Sequence, residues 1–402
     1  MKLLYVLVLV VCISCSKGGS NDSGGETPGP LPQISITDLS LFEGNAGTAT
    51  FPVEVRLSAK YPKEVTVQYS TIEGFAKAGE DFTAVAGQTL TFAPNETTKT
   101  INITVVADLI KEGDDDFIVR LSAPVNATIS KADATVIIRN DDTKVAFTNT
   151  GYEAPTTYTG FTLDWADEFN GTALDASIWS HQNGDGCPGN CGWGNNELQY
   201  YTSRPQNFFF QDGKLIIEAN KESFSGKNYT SSKILTSGKK KMKYGRIDIR
   251  AKLPTGQGIW PAFWMMPQDD VYGGWPASGE IDIMEMVGHE PNRTHGTVHY
   301  GTAWNDRKYI TKSTTAPTGT LHDKFYVYSV EWKENEIKWF LDGNLFATFT
   351  KADVGTYNYP FNEYFYLIFN MAVGGDWPQS PNATTYFPQW LIVDYVRVYK
   401  PN

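Results

Sequence analysis

The sequence predicts an all-β protein with two β-sandwich domains in series. Short runs of alternating apolar and polar residues recur between turn residues from Ile34 to Asn140, and again from Phe161 to Tyr399. Alternation with a period of two is the pattern of half-buried strands. The first series shows no helical periodicity, and neither half carries a Rossmann or P-loop glycine pattern. A smaller sandwich followed by a larger β domain is therefore expected.

Size and charge limit the possible classes of function. At 402 residues the chain is long enough for two or three domains, and 41% hydrophobic with 20% charged residues is typical of a globular protein. A formal net charge of −11 disfavours a nucleic-acid partner, because phosphate binding requires Lys and Arg gathered on one surface. The dense basic run at 239–243 is interpreted as a solvated hairpin end.

The first residues predict export. An apolar run from Leu3 to Ile13 is too short to cross a bilayer but suits the core of a signal peptide, here residues 1–14. Cys15, followed by a Gly- and Ser-rich flexible linker (15–32), resembles the lipobox and tether of bacterial lipoproteins, although Cys12 stands where that family usually has leucine. The resemblance implies lipid on Cys15 and a location at the cell envelope or outer-membrane surface. An ordinary signal peptide is the alternative.

Two further cysteines, Cys187 and Cys191, lie in the segment GCPGNCGWG. A C-x-x-x-C pattern without a second pair of Cys or His nearby is a poor zinc site, whereas an oxidising compartment permits a disulfide. We expect a local disulfide that stabilises the fold little, because its loop is short.

The smaller sandwich, residues 33–142, contains FEGN, AGEDF, KEGDDDFIVRLS and a closing NDD. In these motifs it resembles a Calx-β domain, an immunoglobulin-like sandwich. Matching acidic residues bind calcium in some members of that family and are hard oxygen ligands suited to this ion, whereas other members are plain spacers. The positions implied here are Glu43, Asp81, Asp108, Glu112 and Asp142.

Residues 143–160 are rich in Thr, Gly and Pro and are predicted to form a second linker. The remaining segment, 161–402, is then expected to fold and to act alone as the larger domain.

The stretch GEIDIMEMVG places three acids in an apolar strand. Successive side chains of a strand point to opposite faces, so Glu280 and Asp282 share a face and Glu285 should point away. A β-bulge at Ile283 or Met284 would reset the alternation and bring Glu285 to the same face. Hydrolysis of a glycosidic bond with retention needs two carboxylic groups about 5–5.5 Å apart, and crowded carboxylates raise the pKa of one of them. An edge strand with three solvated acids is the alternative.

WPASGEIDIMEMVG and GQGIWPAFWMMP, with ADEFNG, NNELQYYT, DGKLIIEA, HGTVHY, FNMAVGG and VDYVRVY in order, resemble glycoside hydrolase family 16 and its bacterial laminarinases over nearly all of 161–400. The resemblance implies a β-jelly roll with an open concave cleft and a retaining endo-β-1,3-glucanase. Glu280 matches the family's nucleophile, Glu285 its acid/base and Asp282 the residue that tunes the nucleophile. No cofactor is implied for catalysis, and a monomer is expected.

Flat aromatic surfaces and polar groups are needed to bind sugar rings. For each tryptophan the alternative is core packing, and for His299 it is a structural role. The substrate-binding residues expected from the resemblance and from the aromatic pattern are Trp193, Asn196, Glu197, Trp260, Trp264, Trp275, His299, Asn370 and Trp377.

Members of the family often carry a structural calcium away from the cleft. The matching positions are Glu168, the carbonyl of Gly213, and Asp394. Two other functions are kept as alternatives. The first is hydrolysis of mixed-linkage β-glucan or of an algal galactan, and the second is a carbohydrate-binding protein with an inactive cleft.

Overall fold

The protein is described from a computed structural model covering residues 29–402, in which regular structure consists of strands and three short 3₁₀ helices. The all-β prediction is confirmed. The signal peptide, Cys15 and residues 15–28 of the first linker lie outside the described residues. Within 29–402, no helix has the length and apolar content required to cross a membrane.

Nine strands form the first sandwich. One sheet has the order β6-β3-β1-β8 and the other β2-β9-β7-β4-β5. Alternation explains its core, since Phe51, Val53, Val55 and Leu57 of β3 are buried while the residues between them are not. The strands are β1 (Gln33–Ile36), β2 (Leu39–Phe42), β3 (Gly47–Leu57), β4 (Val65–Glu73), β5 (Gln88–Phe92), β6 (Thr98–Ala107), β7 (Asp115–Val125), β8 (Thr128–Lys131) and β9 (Asp133–Arg139).

Seventeen further strands, β10 to β26, belong to the larger domain. They are β10 (Phe161–Asp167), β11 (Ser180–His181), β12 (Gln199–Tyr201), β13 (Phe208–Gln211), β14 (Lys214–Ala219), β15 (Tyr229–Ser231), β16 (Lys233–Leu235), β17 (Gly245–Lys252), β18 (Ile259–Pro267), β19 (Glu280–Glu285), β20 (Arg293–Gly301), β21 (Arg307–Thr315), β22 (Tyr326–Lys333), β23 (Glu336–Leu341), β24 (Asn344–Thr350), β25 (Phe365–Val373) and β26 (Gln389–Pro401). The 3₁₀ helices are Cys191–Gly194, Trp304–Asp306 and Lys351–Val354.

Two large sheets build the jelly roll of this domain. The back sheet has the order β13-β14-β26-β17-β22-β23-β24, with β10 also paired to β26, and the front sheet has the order β11-β16-β25-β18-β19-β20-β21. β12 and β15 form a separate parallel pair. The core between the two sheets includes Ile281 and Ile283 of β19 and Trp332 and Trp339 of the back sheet. The other surface of the front sheet, called the cleft face below, carries the acids.

The segment 143–160 differs from its prediction as a linker, because it packs on the larger domain. Arg250 of β17 has no exposed side-chain surface. Its guanidinium donates to the carbonyl of Tyr152 (2.8 Å) and to Asn149 Oδ1 (2.8 Å). Tyr158 donates its hydroxyl proton to buried Asp248 (2.7 Å), and Ala154 N–H donates to the hydroxyl of Tyr395 (3.1 Å). The segment thus adds hydrogen-bond partners to two buried charges that are also paired within the larger domain, Arg250 with Asp394 and Asp248 with Arg246.

We therefore expect a chain of residues 161–402 to be less stable than one of residues 143–402. Removing the segment deletes three hydrogen bonds from the Arg250 guanidinium, one to the Tyr152 carbonyl and two to the oxygens of Asn149, each worth about 1.5–3 kcal/mol. The free energy of unfolding should fall by about 3 kcal/mol or more, as measured by urea titration. Equal stability of the two chains would show that water replaces these partners fully.

The disulfide prediction is confirmed, since Cys187 and Cys191 are joined in the loop that leads into the first 3₁₀ helix.

Candidate active site

Strand β19 presents all three acids on one face because it contains the predicted β-bulge. On its β18 side, Asp282 and Met284 pair with consecutive residues of β18, which leaves Ile283 without a partner. On its β20 side, Glu280, Asp282 and Glu285 each pair with alternate residues of β20. Paired residues of neighbouring strands share a face, so Glu285 lies on the face of the other two acids.

The backbone of the bulge is held from the core side. Trp339 donates its indole N–H to the carbonyl oxygen of Asp282 (2.8 Å). Gly296 of β20 stands next to this ring, and a Cβ there would lie 2.4 Å from Trp339 Cδ1, so a larger residue would displace the indole. The acid strand thus has a fixed shape before any ligand arrives.

Glu280, Asp282 and His299 form a compact group whose polar atoms lie within 4.8 Å of one another. His299 Nε2 is 3.3 Å from Asp282 Oδ2 and 3.9 Å from Glu280 Oε1. Trp275 donates its indole N–H to Glu280 Oε2 (2.6 Å), and Trp260 donates to Glu285 Oε1 (3.2 Å). Each glutamate is therefore oriented by one tryptophan.

Burial raises the pKa of two of the three acids, Asp282 and Glu285. It raises the pKa of Asp282 well above its usual range, and the charge of Glu280 raises it further. Burial is also the main cause that raises the pKa of Glu285. The Asp282 and Glu280 charges add to it, while His299 and the Trp260 hydrogen bond oppose it. A protonated Asp282 can donate a hydrogen bond to Glu280, and a protonated Glu285 can act as an acid near neutral pH.

A polar network continues the site from β18 toward β16. Trp264 donates to Asn370 Oδ1 (2.7 Å), and Asn370 Nδ2 donates to the hydroxyl of Tyr201 (3.0 Å). Tyr201 in turn donates to Glu197 Oε2 (3.3 Å), which also accepts from Gln199 (2.7 Å). These hydrogen bonds fix the polar atoms that face the cleft.

Lys233 of β16 also lines this cleft and was missed in the sequence. Its Nζ lies 4.2 Å from the ring centre of Trp193 and 5.1 Å from that of Trp264, and its side chain is 94% buried. Burial lowers the pKa of Lys233 to about 8, although the charges of Glu197 and Glu280 oppose the shift. The ammonium is therefore a positive charge that interacts with Glu197 and Glu280 and lies against two aromatic rings.

We expect Lys233→Met to stabilise the fold at pH 7 and to weaken activity. The unfolded chain keeps this proton to about pH 10.5, whereas the folded chain releases it above about pH 8, so wild-type stability rises between these values. The difference between these two pKa values corresponds to about 3 kcal/mol of folding stability. Urea unfolding should show the variant more stable at pH 7 and the difference nearly gone at pH 10.5. A difference independent of pH would contradict the charged-lysine interpretation.

Most of the predicted sugar-binding residues come together at this site. Trp275 and His299 contact the acids, as described above. Trp377 is 39% exposed and packs edge-on against Trp260, with ring centres 5.5 Å apart. The cleft beside the acids is lined by Asn190, Trp193, Asn195, Glu197, Tyr201, Lys233, Trp260, Ala262, Trp264, Asn370 and Ala372.

Asn196 differs from its prediction. Its φ of 57° turns the chain, and its exposed side chain donates to Asp376 Oδ1 (2.8 Å) rather than facing the cleft. Asn195 takes the cleft position and donates to Glu197 Oε1 (3.2 Å). The doubled asparagine in NNELQYYT gave no signal for choosing between the two.

The calcium positions predicted in the larger domain do not fit a cation. Arg397 binds both oxygens of Glu168 (2.7 and 2.8 Å). Asp394 is paired with Lys214 (2.7 Å) and with Arg250 (2.5 Å). Lys214 also reaches the Gly213 carbonyl (3.5 Å). Both carboxylates are therefore already paired with positive side chains.

The predicted calcium residues of the first sandwich are arranged differently. Carboxylate oxygens of Glu43, Asp141 and Asp142 lie within 4.8 Å of one another. Burial, followed by the charges of Glu112, Asp108 and Asp142, raises the pKa of Glu43 to about 7. Asp142 is 92% buried, and its Oδ2 has no hydrogen-bond partner. This oxygen set fits a hard cation. Asp81 lies outside this set, and its Oδ2 accepts the backbone N–H of Lys77 (2.6 Å).

Two oriented carboxylic groups on one sheet face, beside tryptophans that suit pyranose rings, define a glycoside hydrolase. The profile of Glycosyl hydrolases family 16 matches residues 195–389, and that of the Calx-beta domain matches residues 33–142. The chain belongs to glycosyl hydrolase family 16, and both resemblances inferred from the sequence are confirmed.

Similar proteins agree with this assignment. The chain is 44% identical over 248 residues to a β-glucanase of Rhodothermus marinus, covering 59% of this chain and 85% of that one. It is 47% identical over 260 residues to glucan endo-1,3-β-glucosidase A1 of Niallia circulans, covering 60% of this chain but only 38% of that longer protein. The laminarinase catalytic domain of Thermotoga maritima superposes with a TM-score of 0.56 at 42% identity, covering 60% of this chain and 99% of that domain.

Proposed function

We propose that this chain is an endo-β-1,3-glucanase of the laminarinase type that acts with retention of anomeric configuration. The observation that carries the proposal is the bulged strand β19, which holds Glu280 and Glu285 on one face with a buried Asp282 between them. The similarity to a laminarinase domain and to two β-glucan hydrolases supports the choice of polysaccharide.

In the first step Glu280 attacks the anomeric carbon while Glu285 gives its proton to the leaving glycosidic oxygen, and the carbon–oxygen bond breaks. In the second step water attacks the same carbon, gives a proton to Glu285 and releases Glu280. Each step inverts the configuration of the anomeric carbon, so the product keeps the configuration of the substrate. Asp282, protonated through burial, donates a hydrogen bond to Glu280. This bond is weak while Glu280 is esterified to the sugar and strong when Glu280 is released as a carboxylate, so it stabilises the leaving nucleophile in the second step. No step uses a metal or an organic cofactor.

Side-by-side digestion of laminarin, barley β-glucan, lichenan and agarose tests the substrate. We expect laminarin to be cleaved fastest, with oligosaccharides of several lengths early in the reaction. Proton NMR of the first product should show the β-anomer before mutarotation. Preference for barley glucan or agarose would favour the alternative substrates, and no product from any polymer would favour the binding protein.

We also propose that the protein is exported and anchored by lipid on Cys15. The support is the apolar run before Cys15 and the flexible segment after it. Cys15→Ala should move the protein from the membrane fraction to the soluble fraction without changing specific activity. A wild-type protein already soluble in its native host would contradict the anchor.

A calcium ion on Glu43, Asp141 and Asp142 is proposed for the first sandwich. It would neutralise crowded carboxylates and satisfy Asp142 Oδ2, and so would stabilise this domain without a part in catalysis. Chelation should lower the melting temperature of the first sandwich by several degrees in calorimetry, and Asp142→Asn should remove this response. An unchanged transition would contradict the site.

A further inference from the structure

Two exposed aromatic residues, Trp304 and Tyr309, lie on the far side of the acid strand from Lys233. They are called the outer platform below. In the front sheet Glu280 of β19 pairs with His299 of β20, and His299 pairs with Tyr309 of the edge strand β21. These three residues therefore form one row across the cleft face. Lys233 lies on β16, on the other side of β19.

The outer platform is continuous with the site of the acids. The ring centre of Trp304 is 5.2 Å from that of Trp275, whose indole N–H is bonded to Glu280. The ring centre of Tyr309 is 5.8 Å from that of His299, which contacts Asp282 and Glu280. Since neighbouring strands are about 4.8 Å apart, the row extends about 10 Å beyond the acid strand.

Both rings are exposed to solvent, although the 3₁₀ turn that carries Trp304 and the start of β21, which carries Tyr309, are ordered by their own contacts. Trp304 is 56% exposed and Tyr309 is 66% exposed. Asp306 accepts hydrogen bonds from the hydroxyls of Thr302 (2.7 Å) and Tyr357 (2.9 Å) and pairs with Lys308 (3.0 Å). Large apolar rings held rigidly in water lose little conformational entropy when a ligand covers them.

Arg307 adds to this order. Its guanidinium lies 4.7 Å from the ring centre of Trp304, and it donates to the Trp304 carbonyl (3.0 Å). One face of the indole is thereby supported by protein. Among the described residues, Trp304 does not belong to the hydrophobic core of the larger domain. Core packing therefore does not explain why a tryptophan stands here.

The two sides of the acid strand differ in chemistry. The side of Lys233 carries two buried charged groups, Lys233 and Glu197, that can recognise particular hydroxyls. The side of the outer platform is open, and its exposed rings match the apolar C–H faces of a pyranose, which carry no formal charge. A ligand laid across the strands would be recognised in detail on one side and held by stacking on the other.

We propose that Trp304 and Tyr309 form an outer sugar-binding platform that holds the polysaccharide on the side of the acids opposite to Lys233. The ligand is the neutral β-linked glucan chain itself, so this inference rests on the proposed function. Stacking here is the same before and during bond cleavage, and uniform binding of this kind lowers KM without raising kcat.

The test compares long and short substrates. Trp304→Ala combined with Tyr309→Ala should raise KM for laminarin at least about five-fold and leave kcat within about two-fold. An aryl glycoside whose sugar part ends at the cleaved bond places no sugar on one side of the acids. An aryl β-glucoside with a single sugar reaches only the position at the cleaved bond, so it leaves the platform, about 10 Å away, empty in either chain direction and should keep the wild-type kcat and KM. The KM of Trp304→Phe for laminarin should lie between that of the wild type and that of the double variant, because phenylalanine retains a ring.

Leu345→Ala is the matched control, because this side chain is 52% exposed and lies on β24 of the back sheet. The proposal is overturned if KM for laminarin stays within about two-fold of wild type, if Leu345→Ala has an equal effect, or if the aryl substrate is affected as much as the polymer. Melting temperatures of all variants identify a folding defect. If the wild type cleaves a polysaccharide other than laminarin, the proposed function fails, and the same ratios measured on that polymer judge the platform.

Discussion

Glu280→Ser is expected to lower kcat on laminarin by several powers of ten while glucan binding persists. The serine cannot displace the leaving group to form the glycosyl-enzyme, and loss of covalent catalysis exceeds the effect of any single sugar contact. Trp264, Asn370 and Lys233, which line the cleft, are untouched, and the smaller side chain leaves room for the ligand. Steady-state kinetics and calorimetric titration with laminarin oligosaccharides measure the two quantities separately.

Glu290→Ser is a suitable control for the first substitution, because Glu290 lies just beyond β19 and forms an exposed ion pair with Arg293. It should keep wild-type activity. Asp282→Asn should cost less than Glu280→Ser, because Asp282 adjusts the hydrogen bonding of Glu280 and forms no bond to the sugar. Residual activity of Glu280→Ser near the wild-type level would remove Glu280 from the nucleophile role.

The acid strand could be predicted because its evidence is local. Alternation places Glu280 and Asp282 on one face. Glu285 would then point to the opposite face, and only a bulge brings it to the same face. The structure has the bulge at Ile283, one of the two positions predicted. Burial of Ile281 and Met286 on the core side follows from the same pattern.

Lys233 could not be predicted because its role depends on strand pairing. It faces the cleft since β16 pairs with β25, which sets Lys233 opposite Asn370. The two strands are far apart in sequence, and no local motif indicates the register in which they pair. A lysine on a short strand is usually a solvated residue, and only the rings of Trp193 and Trp264 make this one a buried charge.

The packing of segment 143–160 on the larger domain could not be predicted for a related reason. Its Thr, Gly and Pro content correctly indicates little regular structure, but composition does not show whether a segment without strands packs on a surface. The alternating charges Asp248 and Arg250 of β17 were the residues that needed such a cover. Both are buried, with partners in the larger domain and further hydrogen bonds to Tyr158, Tyr152 and Asn149 of the segment.

The failed calcium positions show the limit of matching single residues to a family pattern. Glu168 and Asp394 are acids at the expected places, yet arginine and lysine side chains from neighbouring strands bind them. A ligand set depends on which cations of the same protein lie nearby, and this is set by the packing of β14, β17 and β26.

Glu285→Gln is expected to remove most activity on laminarin, by about two to four powers of ten, and far less activity on an aryl glycoside with a good leaving group. The glycosidic oxygen of laminarin needs a proton to depart, whereas a nitrophenolate does not. Wild-type activity should fall as pH rises through the raised pKa of Glu285, because the deprotonated carboxylate cannot act as the acid. This alkaline limb should be absent from the pH profile of the variant on the aryl substrate.

Glu285→Ala with added azide tests the same assignment by its product. Removing the carboxylate leaves room for a small anion beside the glycosyl-enzyme, and azide needs no general base to attack. Attack from the face that water would use gives a β-glycosyl azide if Glu280 holds the sugar covalently. An α-glycosyl azide would mean direct displacement with inversion, and equal losses of Glu285→Gln on all substrates would remove Glu285 from the acid role. The arrangement of β19 requires both results together: a β-glycosyl azide from Glu285→Ala, and a loss of activity in Glu285→Gln that depends on the leaving group. Only then do Glu280 and Glu285 act in turn on one anomeric carbon.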